Sequence, residues 1–215
     1  MNLNDEAIFA ATARNRRSIA DMLERLTPVQ WATDSLCEGW TVQHVAAHLL
    51  QHVFVGFGQF VLLSLRYRGN TDAVVNHVAA RLAKHDRTEI VRLLREHADD
   101  RVNPPRVGPW GPFADTCVHL RDIARPLGLA NDVPTEDWVA LLGYLTSPSA
   151  ARSLAPPERV EHLSLQPTDA DGHFGHGLVI SGRAEALVMA VTGRAAALAD
   201  LSGPGVDLLR ERIAR

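Results

Sequence analysis

The sequence predicts a mainly α protein: a four-helix bundle over residues 1–150, followed by a small α+β domain over residues 151–215. Three observations carry this expectation. Apolar residues recur at helical spacing through most of the first 150 positions, and Pro and Gly clusters interrupt that spacing at intervals. After Pro156-Pro157 the texture changes to short apolar runs around a polar, Gly-rich turn.

The elements follow in order. Ile8, Ala11, Ile19, Met22, Leu23 and Leu26 give a first helix from Asp5 to about Leu26, stopped by Thr27-Pro28. Trp31 to Trp40 reads as a loop, and Thr41 as the N-cap of a long helix reaching about Tyr67. Further helices are expected from Asp72 to Lys84 and from Thr88 to Asp100. The four prolines between Asn103 and Pro112 mark a loop that delivers a helix from about Phe113 to Arg125. Thr135 to Leu145 forms the next. Val160 to Leu165 and Leu178 to Ser181 suggest a strand pair, before a helix from Ala184 to Leu198 and a short one after Gly203-Pro204-Gly205.

Composition narrows the function. The 215 residues are 46% hydrophobic, enough for a sizeable core. With 22 basic and 25 acidic residues the net charge is -3, so nothing favours nucleic acid or an anionic membrane as partner. The run Met1-Asn2-Leu3-Asn4-Asp5-Glu6 is acidic where a secretory signal would be basic and then apolar, and no apolar run reaches the roughly 18 residues of a membrane span. A soluble, cytoplasmic protein is expected, with Cys37 and Cys117 both reduced. Phosphate-binding loops of the GxxxxGK[ST] type, a dinucleotide GxGxxG and a GxSxG elbow are all absent from the sequence.

Two places carry candidate chemistry. Asp115, His119 and Asp122 are spaced i, i+4, i+7, which puts them within about 60° of one another on a helix. Val118 and Ile123 flank this polar stripe and Cys117, Leu120 and Ala124 lie opposite, so the stripe is expected to face inward. A buried imidazole and carboxylate suit a metal. The same spacing also fits a hydrogen-bonded Asp–His pair or a solvated face. On the preceding long helix, His44, His48 and His52 follow one another at i+4 steps, and periodicity alone does not choose between His48 and His52.

Two motifs add a resemblance. Ser35-Leu36-Cys37-Glu38-Gly39-Trp40-Thr41-Val42, leading to Ala47-His48-Leu49, and Asp115-x3-His119-x2-Asp122-Ile123-Ala124-Arg125-Pro126-Leu127-Gly128 resemble the signatures of the mycothiol-dependent maleylpyruvate isomerase family, in the DinB-like superfamily. Gly182-Arg183-Ala184 with Thr192-Gly193-Arg194 is similar, more weakly, to that family's small carboxy-terminal domain, and this region also resembles sterol-carrier-like domains. The resemblance implies a DinB-like four-helix bundle whose metal ligands fall on His48, Asp115 and His119. One departure is that the carboxylate is often Glu in the isomerases, one methylene longer than Asp115.

Two histidines and one carboxylate leave coordination positions open, as in catalytic zinc sites, and the same set suits Fe2+ or Ni2+. The resemblance further implies mycothiol as a thiol cofactor, with an electrophilic small molecule as substrate, in an isomerase or a thiol S-transferase. Asp122 and Arg194 are the expected catalytic residues, and Arg125 and Arg183 the expected cofactor-binding ones. Each has a plainer alternative: Asp122 as helix partner of Arg121 or Arg125, Arg125 fixing its helix end, and Arg183 and Arg194 in surface ion pairs. A metal- or ligand-binding module without turnover stays open as a different class of function.

Overall fold

The computed structural model describes residues 3–130, 133–148, 150 and 154–214, with the backbone alone of Phe57. The fold is mainly helical with a small sheet, as expected. The expected domain boundary after residue 150 adjoins positions 151–153, which lie outside the described residues.

The first half runs α1 (Asp5–Glu24), α2 (Pro28–Trp31), α3 (Val42–His48), α4 (Gln51–Phe54), α5 (Phe57–Arg66), α6 (Thr71–Leu82) and α7 (Arg87–Glu96). Then come α8 (Trp110–Ala124), α9 (Thr135–Leu145) and α10 (Pro157–Val160), the strands β1 (Leu163–Pro167), β2 (Phe174–Gly175) and β3 (Leu178–Gly182), α11 (Ala184–Val191), a 3-10 helix (Ala195–Asp200) and α12 (Val206–Ile213). No helix among the described residues is long and apolar enough to cross a membrane.

Within the first 125 residues three expectations need correction. Residues Thr41 to Tyr67 form three short helices rather than one. After His48 the chain tightens, with Leu50 N–H donating to Ala47 O and Val53 N–H to Leu50 O, and Val55 then turns extended at φ −125°, ψ 98°. Gly56 and Gly58 and the β-branched Val53 and Val55 make this stretch a poor helix. Thr27, expected only to end α1, also opens α2 through a capping box with Gln30. Finally, α8 starts at Trp110, three residues early, because Pro112 sits in the first turn, where no amide partner is needed.

Two compact units are formed, and both α1 and α8 are continuous across the division. One unit is Thr12–Val102 with His119–Asn131. In it α3 packs on α6 and α7 over a core that includes Ile19, Leu23, Val45, Val78, Ile90, Leu94 and Ile123, all buried. Arg16, only 3% exposed, donates to the carbonyls of His97, Ala98 and Asp100 and so closes the open end of α7.

The other unit is Met1–Ala11, Asn103–Val118 and Asp132–Arg215. Its sheet has the order β2-β1-β3, with β1 antiparallel to β2 and parallel to β3, so that Leu165 lies opposite Phe174 on one side and Ile180 on the other. The expected strand pair is therefore three-stranded. Gly177, at φ +125°, passes so close to the His162 carbonyl that a Cβ would lie 2.0 Å from its oxygen, and no other residue fits there. α11 packs its apolar length on α9, β1 and β3. It ends at Val191, shorter than expected, because Gly193 takes φ +99°.

Candidate metal centre

α8 is apolar nearly all round: Phe113, Ala114, Cys117, Leu120, Ile123 and Ala124 are all buried. Polar groups on such a helix must meet partners inside the protein. His119 is 8% exposed and Asp122 not at all, while Asp115 is half-buried. The expected inward stripe is thus present.

His119 Nδ1 lies 2.8 Å from Asp122 Oδ2. The ionised carboxylate accepts only, so Nδ1 carries the proton, and Nε2 is the nitrogen that remains for another partner. Cys37 Sγ donates to the same Oδ2 at 3.1 Å and is 3.8 Å from His119 Nδ1. Burial on its own would push the His119 pKa down, but the hydrogen bonds to Asp122 and Cys37 and the attraction of the Asp122 charge outweigh it and raise it to about 10. A cation at Nε2 would take the place of the second ring proton.

Cys37 arrives on a tight loop. An isolated bridge pairs Asp34 with Thr41, Ser35 N–H donates to Trp40 O at 2.9 Å, and Trp40 N–H donates to Cys37 O at 3.0 Å. The turn Cys37–Trp40 has Gly39 at its third position with φ +74°, a conformation that favours glycine. The loop is fastened to α8 by Leu36 N–H, which donates to the Asp122 backbone carbonyl at 3.1 Å. Trp40 anchors it to α6 through Nε1 on Asn76 Oδ1 at 2.8 Å and lays its ring 5.2 Å from that of His48.

His48, the last residue of α3, meets His119 edge-on with ring centroids 5.0 Å apart. One ligand atom from each of His48, Asp115 and His119 lies within 4.8 Å of the other two. Ligands about 2.0–2.2 Å from a shared tetrahedral ion stand about 3.3–3.6 Å apart, so small rotations would close this set on one ion, and its chemistry of two imidazoles and a carboxylate fits. Cys37, His119 and Asp122 form a second such cluster, sharing His119.

The other two histidines of the i+4 series lie elsewhere. His44 Nδ1 takes a hydrogen bond from Thr41 Oγ1 at 2.8 Å, part of the cap that opens α3. His52 lies beyond the helix break, 3.6 Å from Asp100. Burial, together with Arg16, pushes its pKa down to about 4 against the pull of Asp100.

The arginines singled out from the sequence are held locally. Arg183 opens α11 and pairs with Asp169 at 3.5 Å while mostly exposed. Arg194 donates to the Thr192 carbonyl at 2.8 Å. Arg125, half-buried, follows the last residue of α8. Cys37 and Trp40 have no role that spacing or composition assigns. Their signal was the tight Cys-x-Gly-Trp turn immediately before a histidine-bearing helix.

This architecture is that of a DinB-like helical protein. Residues 12–110 match the model of the mycothiol maleylpyruvate isomerase N-terminal domain family, a stretch that contains Cys37 and His48 and ends before Asp115. Two solved structures share the fold along the chain. The crystal structure of the mycothiol-dependent maleylpyruvate isomerase is 17% identical with a TM-score of 0.63, and that of its histidine-to-alanine mutant is 16% identical with a TM-score of 0.63. Each comparison covers 94% of this chain and 93% of the other. No curated protein matches the sequence.

Proposed function

We propose that this protein is a metal-dependent enzyme that employs a low-molecular-weight thiol, mycothiol, as nucleophile toward a small electrophile, as an isomerase of the maleylpyruvate type or a thiol S-transferase. His48, Asp115 and His119 would hold one divalent ion, zinc in the first place, with Fe2+ or Ni2+ as alternatives. The observation that carries this reading is the convergence of those three side chains around an imidazole whose other nitrogen is committed to Asp122.

When bound, the ion supplies a positive charge that keeps a neighbouring thiol ionised near neutral pH. The residues do the rest. Asp122 holds the Nδ1 proton of His119 and so directs Nε2 to the ion. Asp115 offsets part of the charge, and three protein ligands leave room for a small molecule. Arg194 as a catalytic residue, and Arg125 and Arg183 as cofactor-binding residues, would offer guanidinium donors to the carboxylates of substrate and thiol. In this reading residues 1–150 form the metal-binding bundle and residues 151–215 a small α+β domain. The protein acts in the cytoplasm, without nucleic acid or membrane as partner.

Elemental analysis tests the metal site. His48→Ala, Asp115→Ala and His119→Ala should each lose most of the zinc, whereas His44→Ala and His52→Ala should retain it; full stoichiometry in the first three would sink the assignment. For the thiol, zinc-loaded protein is mixed with a generic electrophile and mycothiol, bacillithiol or glutathione at equal concentration. Mycothiol should react fastest. Equal rates, or none above the metal-free control, would point to a binding module without turnover.

A further inference from the structure

We infer that Cys37 is a positioning residue of the metal centre, its thiol fixing the Asp122 carboxylate that in turn fixes His119. The inference rests on the reading of His48, Asp115 and His119 as metal ligands, and it extends that centre to a loop about eighty residues away in the chain.

The Asp122 carboxylate is fully buried, so its orientation is set by protein donors. Two of them converge on Oδ2: the ring N–H of His119 at 2.8 Å and the S–H of Cys37 at 3.1 Å. A carboxylate oxygen held from two directions resists rotation about its χ2, a soft torsion otherwise. The backbone adds a second tie to the same residue, Leu36 N–H on the Asp122 carbonyl. The turn that presents Cys37 also presents Trp40, whose ring lies against His48. A single loop thus braces both imidazoles from outside, one through a hydrogen-bonded relay and the other through ring contact.

Two rival roles make different predictions. As a ligand in its own right, Cys37 would put thiolate sulfur on the metal. As mere filling of the loop, any small side chain would serve and a hydroxyl would have no advantage over a methyl. As a positioning donor, Cys37 can be replaced by Ser but not by Ala, and its effect disappears once Asp122 can no longer relay it.

The experiment measures zinc affinity by competition with a chromophoric chelator. Removal of an outer-shell partner typically weakens metal binding about 10- to 100-fold, the effect expected for Asp122→Asn. Cys37→Ala, one bond further out, should lose about 3- to 10-fold, Cys37→Ser should stay within about twofold of the wild type, and Cys37→Ala in the Asp122→Asn background should add nothing. Wild-type affinity in Cys37→Ala, an equal loss in Cys37→Ser, or a loss that adds fully to that of Asp122→Asn would overturn the inference. Cobalt(II)-loaded wild type should lack a thiolate-to-metal charge-transfer band; its presence would make Cys37 a ligand and overturn it as well. If Cys37→Ala does not fold, the serine variant and the cobalt spectrum still decide. Failure of the underlying reading is recognised separately: His48→Ala and Asp115→Ala would then bind zinc as tightly as wild type, and the inference would fall with it.

Discussion

α8 and the segment from Val42 to Arg66 carry the same kind of signal, polar residues at i+4 steps among apolar ones, with opposite outcomes. α8 is continuous from Trp110 to Ala124, and Asp115, His119 and Asp122 share a face as helix geometry requires. In the other segment the helix ends at His48, so His52 leaves the face that His44 and His48 began. Spacing arithmetic is only as good as the helix it assumes. Leu120, Ile123 and Ala124 are buried on the other faces of α8, whereas α5, after the break, leaves Leu62 and Leu65 67% and 71% exposed. The buried helix is continuous, and the segment that leaves an apolar face exposed is broken.

The contrast can be broken by mutation, and the largest effect is expected in α8. Leu120→Ala removes a side chain that is 1% exposed and should cost about 2–5 kcal/mol in urea denaturation. A loss below about 1 kcal/mol would mean that α8 is not held by its packing. A smaller effect is expected at the break. His52, lowered to about 4 in the fold from its ordinary 6.5, stays neutral in the folded protein over a range in which the unfolded chain binds a proton. Its contribution is therefore fully present above pH 6.5 and is lost as pH falls toward 4, at no more than about 1.4 kcal/mol per pH unit and less after solvent screening. In His52→Gln the thermal midpoint should fall less steeply than in wild type between pH 6.5 and 4; parallel curves would show that His52 is not held neutral. The smallest change is expected for Leu65→Ala on α5, within about 0.5 kcal/mol. A larger loss would show that this face is covered after all.

The same contrast explains what was legible in the sequence. α9 was readable to the residue, since Pro134 precedes it and Glu136 and Asp137 occupy its first turn. The inward stripe of α8 was readable for the same reason: local spacing on an unbroken helix. The choice among His44, His48 and His52 was not, because it depends on where α3 stops, on Thr41, which engages the His44 ring, and on the break that carries His52 off the shared face. Nor was the parallel pairing of β1 with β3, whose register is set by contacts rather than by either strand alone. The role of Cys37 was not legible either, since a cysteine in a loop has no periodicity and its partner Asp122 lies 85 positions away.

That separation governs how the centre can come into being. Joining Cys37 to Asp122 closes a loop whose entropic cost, on the order of 4 kcal/mol from chain length alone, no local contact offsets. The intervening α6 and α7 shorten the effective loop only once they have packed against α3. The brace around His119 is thus a product of the packed unit rather than a nucleus for it, and the Cys37–Asp122–His119 relay exists only while that unit is closed.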